Sequence, residues 1–87
     1  MELKFNYGKR ELYLSHHAAD RMFQRAGCRD IKEVSEKTAE IINNGFAAKI
    51  KLSRGTETVI AYKDFCIHIR ENTITTVKYN SAYFCAA

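Results

Sequence analysis

The chain lacks proline altogether and has only four glycines, which are scattered through 87 residues. Without proline, repeats or low-complexity stretches, nothing indicates an interdomain linker, and the length predicts a single domain over residues 1–87. The scattered glycines also exclude a Gly-rich loop of the kind that cradles phosphate groups.

Cysteine is scarce too, and the three cysteines, Cys28, Cys66 and Cys85, show no paired short spacing. An odd number of isolated cysteines argues against a disulfide framework and favours a reducing, cytoplasmic compartment. No C-x-x-C or H-x-x-x-H spacing is present, which argues against a zinc site. We therefore predict a protein that uses neither a metal nor a cofactor.

Long apolar runs are absent as well. No stretch approaches the roughly 20 apolar residues that a membrane helix needs, so we predict no membrane partner. The N-terminal segment carries charges where a signal peptide has an apolar block, which argues against secretion by that route. Basic residues outnumber acidic ones, 14 against 10, for a net charge of +4. This excess favours an anionic partner such as RNA or DNA.

Residues 15–29, SHHAADRMFQRAGCR, show the periodicity of a short amphipathic helix. Ser15 suits the N-cap position because its hydroxyl can accept from the free amides of the first turn. At about 100° per residue, His17, Arg21 and Arg25 fall on one face, opposite an apolar face that can pack on a core. The polar face therefore combines an imidazole with two guanidinium groups, a set suited to anions.

A second helix is predicted from Asp30 to an Asn-Asn-Gly stop signal at residues 43–45. Beyond it the period changes from helical to alternating, which predicts strands joined by tight turns. Residues 2–14 predict either two short strands joined at Gly8 or one interrupted strand. The C-terminal part predicts an antiparallel meander with strands at residues 47–52, 57–62, 65–70 and 73–79.

These elements predict an α+β fold, with two N-terminal helices packed on one face of a twisted antiparallel sheet of four to six strands. Ile74 and Val77 have opposite parity in the last strand. Either a bulge lies near Thr75 and Thr76, or one of the two apolar side chains faces outward. The second face of the sheet, or a rim beside the first helix, is predicted to stay open. Strand alternation predicts that this open face carries Lys49, Lys51, Cys66, His68 and Arg70.

A set of matches in chain order links the first helix to the last strand. The matching residues are His17-Ala18, Arg21, Arg25, Gly45 and Thr76-Val77-Lys78-Tyr79. This pattern resembles a small uncharacterised prokaryotic family with a His-Ala-x-x-Arg-x-x-x-Arg helix and a late Thr-Val-x-Tyr strand. That family is related to RelE-type toxins in the barnase–EndoU–colicin–RelE ribonuclease superfold. The resemblance covers roughly residues 13–79 of this sequence.

One segment departs from the family pattern. Family members often continue Arg-Gly-Ile after the second arginine, whereas this chain has Arg25-Ala26-Gly27-Cys28. The change is expected to alter how the helix ends and to leave its basic face as it is.

The resemblance implies metal-independent RNA cleavage, in which the ribose 2′-hydroxyl attacks the neighbouring phosphate. Histidine suits proton transfer because its ordinary pKa lies near neutral pH, and arginine suits phosphate because its fork matches two oxygens. The implied catalytic residues are His17, Arg21, Arg25 and Tyr79. The implied RNA-binding residues are His68, Arg70, Thr76, Lys49 and Lys51.

An alternative of a different class uses the same basic face without catalysis. In this alternative the chain is a small interaction or inhibitor protein, of the kind that phages and mobile elements encode, that holds an acidic protein or a nucleic acid. The expected partners are therefore RNA and, in a toxin, a protein antitoxin. Simpler roles also stay open, since Arg21 and Arg25 could pair with Asp20 or with the acids of the second helix, and His68 could be a surface residue.

Overall fold

A computed structural model describes residues 3–53 and 55–80 of the chain. Two helices and six strands follow one another in an order that begins and ends with strands. The elements are β1 (Lys4–Tyr7), β2 (Arg10–Leu14), α1 (His16–Arg25), α2 (Ile31–Asn44), β3 (Phe46–Leu52), β4 (Gly55–Tyr62), β5 (Phe65–Arg70) and β6 (Thr73–Tyr79).

The six strands form one sheet in the order β1-β2-β6-β5-β4-β3. The meander and the β1–β2 hairpin are antiparallel, but β2 joins β6 in parallel through Tyr13–Thr73 and Leu14–Ile74. The α+β class is thus confirmed. The prediction of an all-antiparallel sheet was wrong, because β2 and β6 run parallel. The N-terminal placement of the helices was also wrong, because both helices lie between β2 and β3. The chain leaves β2 through the two helices, enters the sheet again at β3, and ends with β6 paired to β2.

Each helix starts at a side-chain cap that the sequence predicts. The Ser15 hydroxyl accepts from the Ala18 amide at 3.0 Å, and the Asp30 carboxylate accepts from the Glu33 amide at 2.9 Å. Both helices bury an apolar face against the same side of the sheet. Within the described ranges, neither helix has the length and apolar content needed to cross a membrane.

The second helix stops at Gly45, where the chain passes tightly against the sheet. A Cβ atom at this position would lie 2.6 Å from the Ile41 carbonyl oxygen and 2.8 Å from that of Ala61. Both are backbone atoms that cannot move aside, so glycine is required here by space. Its φ of −84° would suit other residues.

The last strand contains the irregularity that its apolar spacing predicts. Thr76 lies opposite His68, yet Ile74 lies opposite Ile69, so Thr75 is an extra residue in β6. Ile74 and Val77 are both fully buried as a result. The bulge is confirmed, and it is what lets two residues of opposite parity face one core.

The two faces of the sheet differ in what covers them. One face, here called the helix face, carries the buried apolar residues of β4, β5 and β6 beneath α1 and α2. The opposite face, here called the open face, carries Glu57, Cys66, His68 and Thr76, by the register of the three strands.

The placement of Lys49 and Lys51 on the open face was wrong. Lys49 lies opposite Thr58, which is itself opposite Ile69 of the core, so the lysines point to the side of the helix face. The apolar residues of β3 instead share the open face with His68. Because β3 is an edge strand that the helices do not cover, all seven of its residues are exposed.

Candidate functional site

Arg25 is positioned by the last strand. Its Nη1 donates to the Val77 carbonyl oxygen at 2.7 Å, and its guanidinium carbon lies 6.0 Å from the centroid of the Tyr79 ring. At the other end of α1, the Ser15 hydroxyl donates to the Thr75 carbonyl oxygen at 3.3 Å. Because β2 pairs with β6 only at Thr73 and Ile74, the helix borders the rest of that edge. Arg25 therefore links α1 to β6, a role that its position in the sequence does not predict.

The remaining polar side chains of α1 form a row along the helix. His17 is exposed, and Arg21 donates from Nη1 to the Gln24 side-chain oxygen at 2.5 Å. A rise of 1.5 Å per residue separates His17 from Arg25 by about 12 Å along the axis. Tyr79 lies at the Arg25 end of this row. The four predicted catalytic residues therefore lie in a row along α1 and the end of β6.

A tighter polar arrangement occupies the open face. His68 Nδ1 and Glu57 Oε1 are joined by a hydrogen bond, and each of these side chains is only 16% exposed. The other ring nitrogen, Nε2, lies 3.8 Å from the Cys66 thiol. The carboxylate thus fixes the orientation of the imidazole and leaves Nε2 with a weak sulfur contact.

The thiol beside His68 is not an activated nucleophile. Burial raises the pKa of Cys66 above its ordinary value, and this effect outweighs the opposing influence of the nearby Lys78. A thiol with a raised pKa stays protonated near neutral pH, whereas nucleophilic attack needs the thiolate. Cys66 therefore acts here as a partly buried neighbour of the imidazole.

Arg70 and Thr76 complete the polar group on this face. Thr76 is the cross-strand partner of His68, and Arg70 follows two residues later on β5, facing Thr73. Arg70 also lines a shallow cleft of about 440 Å³ whose other walls are Gly55, Thr56, Glu71, Thr73 and Thr75. We call Glu57, His68, Arg70 and Thr76 the open-face cluster.

The structure thus divides the predicted site residues into three groups. His17, Arg21, Arg25 and Tyr79 lie along α1 and the end of β6. His68, Arg70 and Thr76 are brought together on the open face. Lys49 and Lys51 lie apart from both groups, on the edge strand β3.

Sequence reasoning missed Glu57, the closest partner of His68. The carboxylate comes from β4 and the imidazole from β5, so only the strand register brings them together. The available signal was parity: in a β4–β5 hairpin closed by the Lys63-Asp64 turn, Glu57 and His68 fall on the same face.

No group of three or more His, Cys, Asp and Glu side chains in residues 3–53 and 55–80 is arranged to hold a metal ion. Cys85, one of the cysteines weighed above, lies outside the described residues.

No family model, curated protein or solved structure matches the chain. The ribonuclease resemblance stays a prediction from the sequence. The chemistry of the site must then be argued from its own side chains.

Proposed function

We propose that the protein is a metal-independent ribonuclease whose reaction centre is the open-face cluster. The observation that carries this proposal is the Glu57–His68 hydrogen bond on the sheet face that neither helix covers, with Arg70 and Thr76 alongside. It unites an oriented proton-transfer group, a cation and a hydroxyl. The resemblance to RelE-related proteins supports the same activity class.

In the proposed reaction the ribose 2′-oxygen attacks the adjacent phosphorus, and the bond from phosphorus to the 5′-oxygen breaks. His68 donates the Nε2 proton to the leaving 5′-oxygen, while the 2′-hydroxyl proton passes to water. Glu57 holds the imidazole by its Nδ1 and so keeps Nε2 directed at the leaving oxygen. The products are a 2′,3′-cyclic phosphate and a free 5′-hydroxyl.

Arg70 and Thr76 contribute to charge stabilisation and positioning. The Arg70 guanidinium can bind two phosphate oxygens as negative charge builds up in the transition state. The Thr76 hydroxyl, directly across from His68, can donate to the same phosphate. Glu57 is a positioning residue in this scheme because it acts through His68.

The polar row on α1 lies on the helix side of the sheet, away from the open-face cluster, and serves as a second surface for RNA. His17 and Arg21 are spaced along the helix for contacts with successive phosphates, and the half-exposed Tyr79 ring can stack on an unpaired base. In this proposal the catalytic assignment passes from His17 to His68. The two histidines can be tested against each other directly.

The experiment compares cleavage of a defined single-stranded RNA by wild type, His68→Gln and His17→Gln, with His16→Gln as the matched control on the same helix. We expect His68→Gln to lower the rate by about a hundredfold or more, the typical contribution of a proton-transfer group. His17→Gln should weaken binding several-fold, and His16→Gln should behave as wild type. An oligonucleotide with a 2′-deoxyribose at the scissile position should not be cut.

Absence of cleavage by wild type, or equal cleavage by wild type and His68→Gln, would refute the assignment. Loss of cleavage in His17→Gln alone would return the reaction centre to α1.

Non-catalytic RNA binding is the second candidate, and the spacing of the α1 row favours it. Residues about 12 Å apart along a helix suit contacts to a strand better than a single reacting phosphate. In this case wild type retains RNA without cutting it, and Arg21→Ala weakens retention uniformly and lowers its salt dependence by about one phosphate contact. Retention that is independent of salt would count against this function.

A further inference from the structure

Strand β3 forms one edge of the sheet and is paired only with β4. Among the described residues, none bonds to its outer side, so alternate backbone amides and carbonyls along seven residues face outward. Folded proteins usually shorten, cover or bend such an edge, or place charges such as lysine on it, because it is a template for another strand. The two lysines of β3 therefore select which strands can add there. Strand β3 pairs with β4 from Phe46 to Leu52 without a bulge.

One side of β3 carries an apolar stripe, defined as Phe46, Ala48, Ile50 and Leu52. Phe46 is 89% exposed, Ile50 45% and Leu52 40%, which is unusual for large apolar residues in a small domain. The stripe is continuous with Val59 and Ala61 on β4, which lie opposite Ala48 and Phe46. A contiguous apolar surface of this kind on a sheet edge is typical of an interaction site.

The other side of β3 carries Ala47 and two positive charges. Lys49 and Lys51 are exposed, and neither forms an ion pair with another described residue. The strand therefore presents apolar groups on one face and ammonium groups on the other, along an unpaired backbone. An incoming strand that matches it needs apolar side chains on one face and acidic side chains on the other.

A second copy of the chain matches this edge poorly. Two β3 strands joined antiparallel across a two-fold axis keep their faces, so the lysines of both copies would lie on the same side. Four ammonium groups would then be close together without a carboxylate between them, which destabilises the pairing.

We propose that β3 is the docking edge for an extended peptide segment of another protein, in which apolar and acidic residues alternate. The segment adds to the sheet as an edge strand, with its backbone bonded to β3. Its apolar side chains cover the stripe, and its acidic side chains meet Lys49 and Lys51. This inference is independent of the ribonuclease proposal, since it uses none of the residues of the open-face cluster.

The probe is a seven-residue peptide of alternating valine and glutamate, equal in length to β3. Its binding to the full chain is measured by fluorescence anisotropy, and the bound site is located by NMR amide hydrogen exchange. Two control peptides have the same composition in scrambled order or lysine in place of glutamate. We expect binding of the alternating acidic peptide only, weakened by salt, with new protection of alternate β3 amides.

Protein variants separate the two faces of β3. Lys49→Glu with Lys51→Glu should weaken the acidic peptide at least about tenfold and create binding of the lysine peptide, as expected for reversed charge complementarity. Ile50→Thr should weaken binding of the acidic peptide to the wild-type lysines, and binding of the lysine peptide when it is combined with the two Lys→Glu changes. It should not unfold the domain, because the site is exposed and threonine suits a strand. Lys32→Glu, an exposed change of the same charge on α2, is the control and should bind as wild type.

Several results would overturn the proposal. The scrambled peptide could bind as tightly as the alternating one, or the peptide could slow amide exchange only outside β3. The β3 amides could already exchange slowly in the free monomer. The wild-type chain could also be a dimer that becomes monomeric in Ile50→Thr, which would assign the edge to a second copy. Protection of β3 by a short RNA, with no effect of the acidic peptide, would assign the edge to nucleic acid instead.

Discussion

Replacing Arg25 with alanine removes the side chain with which α1 holds β6. The lost contacts are a hydrogen bond from a charged group to the Val77 carbonyl oxygen, 2.7 Å long, and the approach to the Tyr79 ring at 6.0 Å. Val77 is fully buried, so water cannot easily replace the guanidinium at its carbonyl.

Hydrogen bonds to charged groups contribute about 1.5–3 kcal/mol, and a partly exposed cation–π contact adds about 0.5–1 kcal/mol. Some of this is offset by the rotamer freedom that the arginine regains in the unfolded chain. We therefore expect Arg25→Ala to lower the free energy of unfolding by about 2 kcal/mol. For a domain of this size, that corresponds to a fall in Tm of about 8–16 °C.

Urea unfolding followed by circular dichroism measures the effect, with Arg21→Ala as the matched control. Within the part of the chain that the structure describes, the Arg21 side chain bonds only to the Gln24 side chain of its own helix. Removing the Arg21 side chain should therefore change the free energy of unfolding by less than about 0.5 kcal/mol. Equal stability of the two variants would refute the structural role of Arg25. Arg25→Lys should recover part of the loss, because an ammonium group can make one of the two contacts.

The remaining predictions concern three positions, two threonines and one glycine, where a hydroxyl or a missing Cβ atom decides the effect on stability. Thr38 is fully buried and its hydroxyl has no hydrogen-bond partner among the described residues, so Thr38→Val should raise the free energy of unfolding by about 1 kcal/mol. Thr75→Val should instead lower it by about 1 kcal/mol, because the Thr75 hydroxyl donates to the His68 carbonyl oxygen at 3.2 Å; a loss of stability in Thr38→Val as large as in Thr75→Val would contradict this reasoning. Gly45→Ala should cost about 3 kcal/mol in the same urea assay, because the new Cβ would lie 2.6 Å from the Ile41 carbonyl oxygen, and a loss below 1 kcal/mol would show that the chain yields there.

The features that the sequence predicts correctly depend on residues close to one another in the chain. The caps at Ser15 and Asp30, the stop at Gly45 and the hairpin turns each arise from a few neighbouring residues. The bulge at Thr75 belongs to the same class, because the conflicting parity of the apolar residues on either side of it is visible within one strand.

The features that it does not predict depend on what lies beside a strand in space. Alternation in β3 indicates two faces but not which of them lies on the helix side of the sheet, and the expectation that the lysines lie on the open face is wrong. Likewise, the sequence shows that β2 and β6 are strands but not that they pair in parallel. Such choices are decided by the packing of the whole domain.

The candidate site shows the same division. His68 is recognisable because its strand alternates cleanly, but its partner Glu57 arrives from the neighbouring strand. Arg25 looks equivalent to Arg21 on a helical wheel, yet only Arg25 ends beside a buried backbone carbonyl. Whether an arginine binds a ligand or its own chain is decided by the acceptor it meets, and the acceptor in this case is 52 residues away.

The two proposed surfaces meet at one pair of residues. Ile50 of the apolar stripe lies opposite Glu57, and Glu57 is the group that orients His68. A peptide added along β3 would cover Ile50 and so remove water from one side of the Glu57 carboxylate, while α1 and β6, three strands away in the sheet order, would stay uncovered. Exclusion of water strengthens the interaction of the carboxylate with the imidazole. The proposed peptide docking at the edge and the proposed RNA binding at α1 are therefore compatible in space, and the open-face cluster, which begins next to Ile50, is where docking would affect the proposed reaction.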